Sequence, residues 1–235
     1  MTSGPSARIV AVPLVRCVSV GRTFGRGDAM VVAVHDASCV VFSGQQIALM
    51  GPSGSGKSTL LHLIAGLDTP TSGEVSWPAL GSRDGLRPGP VGIVFQAPSL
   101  LPPLDVVENV ALPLLLAGRD PSDARAAAMM ALQRLDLDGL ASKLPEELSG
   151  GQSQRVAVAR VLASDPKLIL ADEPTGQLDH LTGGAVVDAL IEAAAASGAG
   201  LIVNTHDRVV GDRFTIRWTM SDGRLDARTE LSCSR

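Results

Sequence analysis

Gly51-Pro52-Ser53-Gly54-Ser55-Gly56-Lys57-Ser58, followed by Thr59, is the stretch whose reading decides the fold. Glycines at the first, fourth and sixth positions let the backbone turn tightly enough for its N–H groups to close around an anion. Lys57 adds a point charge for phosphate, and Ser58 a hydroxyl of the kind that ligates Mg²⁺. The context agrees with the motif. Gln46 to Met50 reads as a short apolar strand and Lys57 to Ala65 as a helix, so the loop lies between a strand and a helix N-terminus whose dipole favours negative charge. The pattern is that of a nucleoside-triphosphate site.

Outward from the loop, Leu168-Ile-Leu-Ala and Leu201-Ile-Val-Asn are short β-favouring runs that end in polar residues, Asp172-Glu173 and Thr205-His206. In an open parallel sheet, ligands bind beyond the carboxyl ends of the strands, so these residues are expected to converge on the phosphate loop. Asp172 then suits a Mg²⁺ partner, and Glu173 the carboxylate that orients or deprotonates the attacking water. Toward the N-terminus, Met30 to Val34 and Cys39 to Phe42 alternate with turns at Gly25 to Asp28 and Ser43-Gly44, which predicts an antiparallel β region. Pro70 to Pro90 reads as turns around short strands, and Val91 to Phe95 as a further strand. Helical patterning then runs to about Ala163, with Asp120 as an N-cap and Pro121 at the first helical position.

Composition bounds the partners. The 235-residue chain has a net charge of −4, only 3% aromatic residues and no Tyr, so it lacks both the basic footprint and the stacking platforms of a nucleic-acid binder, and none is expected. Cys17, Cys39 and Cys233 have no metal-like spacing and read as reduced, inert thiols. No stretch has the roughly 20 apolar residues of a membrane-spanning helix, and Ile9 to Val15, which holds Pro13 and meets Arg16, makes a poor signal peptide. Arg224 to Arg235 reads as a polar, frayed end.

Leu148-Ser149-Gly150-Gly151-Gln152 resembles the signature sequence of ABC ATPases, and the resemblance extends from about Val18 to Arg224. It implies an α/β P-loop NTPase (RecA-like) core with an N-terminal antiparallel β subdomain over 8–96 and 164–225. A helical subdomain over 97–163 is inserted in that core, and the whole forms one cassette. It further implies that Gln96 contacts Mg²⁺ and couples to a membrane domain, that His206 contacts the γ-phosphate, and that Asp179 crosses a dimer. Phe24 stands where the family commonly has an adenine-stacking Tyr. The resemblance also implies that Ser149, Gly150, Gly151 and Gln152 form a second anion site, which meets ATP held by the opposite subunit of a head-to-tail homodimer. Ser153 and Gln177 depart from the family's usual residues without removing a catalytic group.

Thr175-Gly-Gln-Leu-Asp179, Leu100-Leu-Pro102 and Glu108-Asn-Val-Ala-Leu-Pro113 are similar to the lipoprotein-release, macrolide-export and cell-division branch. That implies a motor at the cytoplasmic face of the cell membrane, acting on a permease carried by a separate chain. The competing reading is a soluble ABC ATPase of nucleic acid or ribosomes. Only residues 97–148 lie between Gln96 and Ser149, too few for a long coiled coil, each motif occurs once, and zinc-type cysteines are lacking.

Overall fold

The computed structural model describes residues 11–176 and 178–227, and the side chains of Asp28, His180 and Leu181 lie outside that description. Cys233, Gln177 and most of the expected polar end are likewise outside the described residues. Among the described residues, nine strands form one sheet: β1 (Val15–Phe24), β2 (Val31–Val41), β3 (Gln46–Met50), β4 (Ser72–Ser76), β5 (Val91–Val94), β6 (Leu168–Asp172), β7 (Gly200–Thr205), β8 (Ile216–Ser221) and β9 (Arg224–Asp226). Their spatial order is β4-β1-β2-β9-β8-β3-β7-β6-β5. Strands β8, β3, β7, β6 and β5 are mutually parallel, whereas β4, β1 and β2 are antiparallel. Among the described residues the α-helices are α1 (Lys57–Ile64), α2 (Val106–Leu116), α3 (Pro121–Gln133), α4 (Gly150–Leu162), α5 (His180–Ser197) and α6 (Arg208–Gly211).

Strands β6 and β7 are buried along their whole length, as parallel strands covered on both faces must be. Successive side chains alternate between two cores. Ile47, Leu49, Leu168, Leu170 and Ile202 pack with α1 and the inner faces of β1 and β2. Ala48, Ile169, Ala171, Leu201 and Val203 face the other way, into a core shared with α2 to α5. The sheet is thus clamped from both sides, and the ends of β3, β6 and β7 are held at one edge by their parallel registers, which pair Met50 with Thr205 and Asp172 with Asn204.

Three sequence expectations are corrected. The runs Met30 to Val34 and Cys39 to Phe42 are not separate strands: apart from Met30 and Phe42 they belong to the continuous β2, which passes the polar His35-Asp36 pair through the positive-φ residue Asp36. Pairing with β1 keeps the strand intact across that irregularity. The Pro70 to Pro90 region holds one strand, β4, and a short 3₁₀ turn at Arg83–Gly85. Arg224 to Asp226 is not frayed: it is β9, paired antiparallel with β8 around Asp222-Gly223.

Cys17 and Cys39 are buried free thiols facing each other across β1 and β2. A hydrogen bond with Cys17, together with burial, holds the Cys39 thiol well above its ordinary range, so it remains protonated and unreactive. Among the described residues, no helix is long and apolar enough to cross a membrane.

The caps were foreseeable from residue type. Asp120 accepts from the Ser122 N–H at 2.8 Å, with Pro121 opening α3. Asp105 and Glu108 form a reciprocal capping box on α2, at 2.8 and 2.9 Å. One turn on, the fully buried Asn109 accepts from the Leu101 N–H at 2.7 Å. Its amide also donates to the Leu101, Leu104 and Asp105 carbonyls at 3.1, 2.9 and 3.0 Å. Asn109 therefore supplies partners to a loop that has no ladder of its own. Asn109→Leu strands those buried groups and is expected to cost about 2–3 kcal/mol. Each kcal/mol corresponds to a fall in melting temperature of roughly 2–4 °C in a domain of this size. An unchanged thermal transition by circular dichroism would contradict this role.

Candidate active site

The loop 51–56 leaves β3 and closes on α1. Two of its glycines are required by their surroundings. Gly51 has φ +153° and a Cβ there would collide with the Met220 carbonyl; Gly56 has φ +97° and a Cβ would strike the Ala33 carbonyl. The loop is thereby wedged between β8 and β2. Gly56 caps α1 without a side chain, leaving the first N–H groups of the helix to an external acceptor. Pro52, Ser53, Gly54 and Ser55 form the arch, and the Ser55 carbonyl accepts from the Gly223 N–H at 3.1 Å.

Lys57 is buried, and its Nζ donates to the Gly51 and Pro52 carbonyls of its own loop, both at 2.9 Å. Burial pushes the Lys57 pKa down, while the negative charges of Glu173 and Asp172 oppose that fall. The ammonium is thus aimed into the loop by neutral partners, leaving its charge uncompensated by direct contact. Next to it, Ser58 Oγ donates to Asp172 Oδ1 at 2.9 Å, and Thr59 continues the first turn of α1.

At the end of β6, Asp172 is nearly buried and Glu173 leaves the strand with φ +44°. That conformation is uncommon for a side chain other than Gly or Asn. It is fixed by the Glu173 N–H donating to the Asn204 carbonyl at 3.0 Å and by the Gly176 N–H donating back to the Glu173 carbonyl at 3.0 Å. The turn carries the carboxylate out of the strand so that Oε2 lies 3.3 Å from His206 Nδ1. Gln96, just beyond β5, reaches the same place: a Cβ on Gly176 would lie 3.1 Å from Gln96 Nε2 and 3.5 Å from Glu173 Oε2. Lys57, Ser58, Gln96, Asp172, Glu173 and His206, distant in sequence, therefore meet along one edge of the sheet.

The other expected site residues sit at the starts of α4 and α5 and at the end of β1. Ser149 caps α4 through a reciprocal box with Gln152, at 3.3 and 2.9 Å, so Ser149, Gly150, Gly151 and Gln152 present an exposed helix start. No hydrogen bond joins this helix start to the phosphate loop among the described residues. Asp179 caps α5, accepting from the Thr182 N–H at 3.0 Å and hydroxyl at 2.7 Å. Phe24, at the end of β1, is 41% exposed, with the Arg22 guanidinium 4.4 Å from its ring centre.

Sequence reasoning gave no role to Asn204, His62 or Gln154. Asn204 is fully buried, and its amide donates to Asp172 Oδ1 and, at 3.3 Å, to Ser58 Oγ. A polar residue closing the otherwise apolar β7 was its signal. His62, one turn along α1 from Ser58, holds Nε2 3.9 Å from Asp172 Oδ2. Gln154 on α4 donates to the Phe95 carbonyl at 3.0 Å and so ties α4 to the segment bearing Gln96; nothing in its local sequence marks this.

The Ser58 hydroxyl, the Asp172 carboxylate and the unpartnered buried Asn204 Oδ1 offer hard oxygens, the donor type Mg²⁺ selects. No group of three or more His, Cys, Asp or Glu residues suited to a metal occurs among the described residues. The oxygen set fits a cation shared with bound phosphates rather than one caged by protein alone.

A phosphate loop facing an ordered carboxylate and imidazole defines a nucleoside-triphosphate hydrolase. Residues 34–176 match the ABC transporter family. The lipoprotein-releasing system ATP-binding protein LolD of Shewanella sp. (strain MR-7) is 40% identical over 224 residues, covering 92% of this chain and 97% of that protein. Among solved structures, the dimeric ATP-binding cassette MJ0796 bound to ADP and Pi has a TM-score of 0.84 at 35% identity, covering 94% of this chain and 100% of that one. The structure of cbiO1 from Clostridium perfringens, part of the ABC transporter complex cbiONQ, has a TM-score of 0.79 at 29% identity, covering 91% and 87%. The chain belongs to the ABC transporter family, of which it is an ATP-hydrolysing subunit.

Replacing Asn204 with Leu removes the amide that orients both Ser58 and Asp172 while keeping side-chain volume. A hydrogen bond to a charged group is worth about 1.5–3 kcal/mol, so steady-state ATP turnover should fall at least about tenfold in a protein with unchanged circular dichroism. Wild-type turnover in that variant would remove Asn204 from the site.

Proposed function

We propose that this chain is the ATP-driven motor of a lipoprotein-releasing or related mechanotransmitting transporter, working as a homodimer at the cytoplasmic face of the cell membrane on a permease carried by a separate chain. The observation that carries the chemical part is the meeting of Ser58 with Asp172 and of Glu173 with His206 at the mouth of the phosphate loop. The likeness to LolD across nearly the whole of both chains supports the branch.

In this reading the loop Gly51 to Thr59 wraps the triphosphate and Lys57 holds its terminal phosphates. Ser58, Gln96 and Asp172 hold Mg²⁺, which when bound neutralises charge on the phosphate oxygens. Glu173 orients the attacking water and takes its proton, and its contact with His206 keeps the carboxylate turned toward the γ-phosphate. The base of ATP stacks on Phe24. Ser149 to Gln152 and Asp179 serve the opposite copy: the exposed α4 start offers free N–H groups to the γ-phosphate held across the interface.

Motion leaves through Gln96. The segment bearing it is bonded to α4 by Gln154 and by Arg160, which donates to the Pro98 and Ser99 carbonyls at 2.9 Å each. Behind that segment, between β5 and α2, lies a groove of about 1050 Å³. Leu112, Leu116 and Phe95 line it, together with Arg87, Arg119 and Lys167. A mixed apolar and basic groove beside the site suits a short amphipathic segment of the permease carrying acidic residues.

Glu173→Gln keeps the hydrogen-bonding shape but cannot accept a proton, so it should bind ATP while losing nearly all turnover. Tagged Glu173→Gln protein, incubated with ATP and Mg²⁺ and recovered from detergent-solubilised native membranes, is expected to retain a polytopic protein with a large extracytoplasmic domain, identified by mass spectrometry. Wild-type turnover in the variant would overturn the general-base assignment. Recovery of only ribosomal proteins or nucleic acid would overturn the transporter-motor reading.

A further inference from the structure

Arg22 has no hydrogen bond to the phosphate loop among the described residues, yet its side chain connects Phe24 to the segment that follows α1. Its guanidinium carbon lies 4.4 Å from the centre of the Phe24 ring, and its Nε donates to Asp68 Oδ2 at 2.8 Å. Asp68 lies just past the C-terminal end of α1, where its N–H donates to the His62 carbonyl at 3.3 Å. Its second carboxylate oxygen accepts from the Thr69 N–H at 2.7 Å. The carboxylate is therefore committed to holding Arg22 and the turn after α1.

The neighbouring contacts point the same way. Thr71 donates from its N–H and its hydroxyl to the Gly21 carbonyl, at 2.8 and 3.1 Å, and its Oγ1 accepts from the Thr23 N–H at 3.2 Å. Residues 21–24 are thus bonded to residues 68–71, and through them to the helix whose start holds the phosphates. On the other strand of the hairpin, β2 places the Ala33 carbonyl against Gly56, while Arg22 pairs with Val34 and Phe24 with Val31. The end of β1 is fixed to the phosphate-binding element on two sides.

We infer that Asp68, Arg22 and Phe24 form a relay that sets the base-binding platform at a fixed distance from the phosphate loop, with Arg22 as a positioning residue for the purine of ATP. The inference rests on the reading of Phe24 as that platform. A guanidinium held against one face of the ring leaves the other face to a base, and a cation on the far side of a ring strengthens the hold on its orientation. Phe24 has no hydroxyl with which to anchor itself, so its orientation depends on what packs against it. Asp68 fixes the guanidinium plane by a charge-assisted bond and keeps Arg22 from swinging into solvent.

The test is calorimetric binding of ATP and of inorganic tripolyphosphate, each with Mg²⁺, to the full chain and to Arg22→Met, Phe24→Ala and the double variant. Tripolyphosphate probes the phosphate loop without the base. Arg22→Met should weaken ATP about threefold to tenfold, the range of a partly exposed cation–ring contact, and leave tripolyphosphate unchanged. In the Phe24→Ala background the same substitution should have no further effect. Asp68→Asn, which keeps the shape of the side chain, should shift ATP binding in the same direction by a smaller factor and stands in if Arg22→Met does not fold. If Phe24→Ala weakens ATP and neither Arg22→Met nor Asp68→Asn does, the relay is wrong and the platform stands. If Phe24→Ala leaves ATP unaffected, the platform reading fails and takes the relay with it. Equal weakening of ATP and tripolyphosphate by Arg22→Met would mean that Arg22 supports the phosphate loop itself, which also overturns the proposal.

Discussion

A buried ammonium held only by backbone carbonyls sets the terms for everything around it. Lys57 Nζ bonds to Gly51 and Pro52 of its own loop, and no salt bridge joins it to a carboxylate among the described residues. A cation in that state is desolvated and poorly compensated, as its lowered pKa reflects. The arrangement stands because Asp172 and Glu173 lie close enough to stabilise the charge at a distance without quenching it. An anionic ligand completes the balance, and the acids stand near the ammonium while bonded elsewhere: Asp172 to Ser58 and Asn204, Glu173 toward His206.

Keeping those acids in place is the task of the parallel sheet. β6 and β7 are in register from Leu168 and Gly200 to Asp172 and Asn204, so an apolar alternation of two cores delivers two polar residues side by side. The positive φ of Glu173 then separates the two carboxylates: Asp172 stays in line with the strand beside Ser58, while Glu173 is turned out toward His206 and Gln96. One backbone irregularity, held by the Asn204 carbonyl, thus sends the two neighbouring carboxylates in different directions. The glycines of the loop perform the complementary service, since only residues without a Cβ fit beneath the Met220 and Ala33 carbonyls.

Much of this was legible in the sequence because the functions concerned are local. The phosphate loop, the apolar runs ending in Asp172-Glu173 and His206, and the Asp120 and Ser149 caps each depend on residues within a few positions of one another. What sequence reasoning missed depends on tertiary pairing. Asn204 matters only because β6 lies beside β7, Gln154 because α4 passes beneath Phe95, and Asn109 because an unpaired loop folds over α2. Strands β4 and β9 are short and polar, and exist because β1 and β8 offer them an edge. Composition placed short strands among turns over Pro70 to Pro90 without locating them, and it argued for a frayed end at Arg224.

In the proposed function, the start of α4 and the mouth of the phosphate loop are each half of an arrangement. No hydrogen bond joins them within one copy among the described residues, and the proposed function requires a second copy to bring them together across ATP. Sedimentation-velocity analysis of the Glu173→Gln chain, with and without ATP and Mg²⁺, tests this most directly. The account predicts a monomer without nucleotide and a dimer with ATP that is lost when Ser149 is replaced by Arg. A monomer at saturating ATP, or an ATP-dependent dimer indifferent to Ser149→Arg, would contradict it.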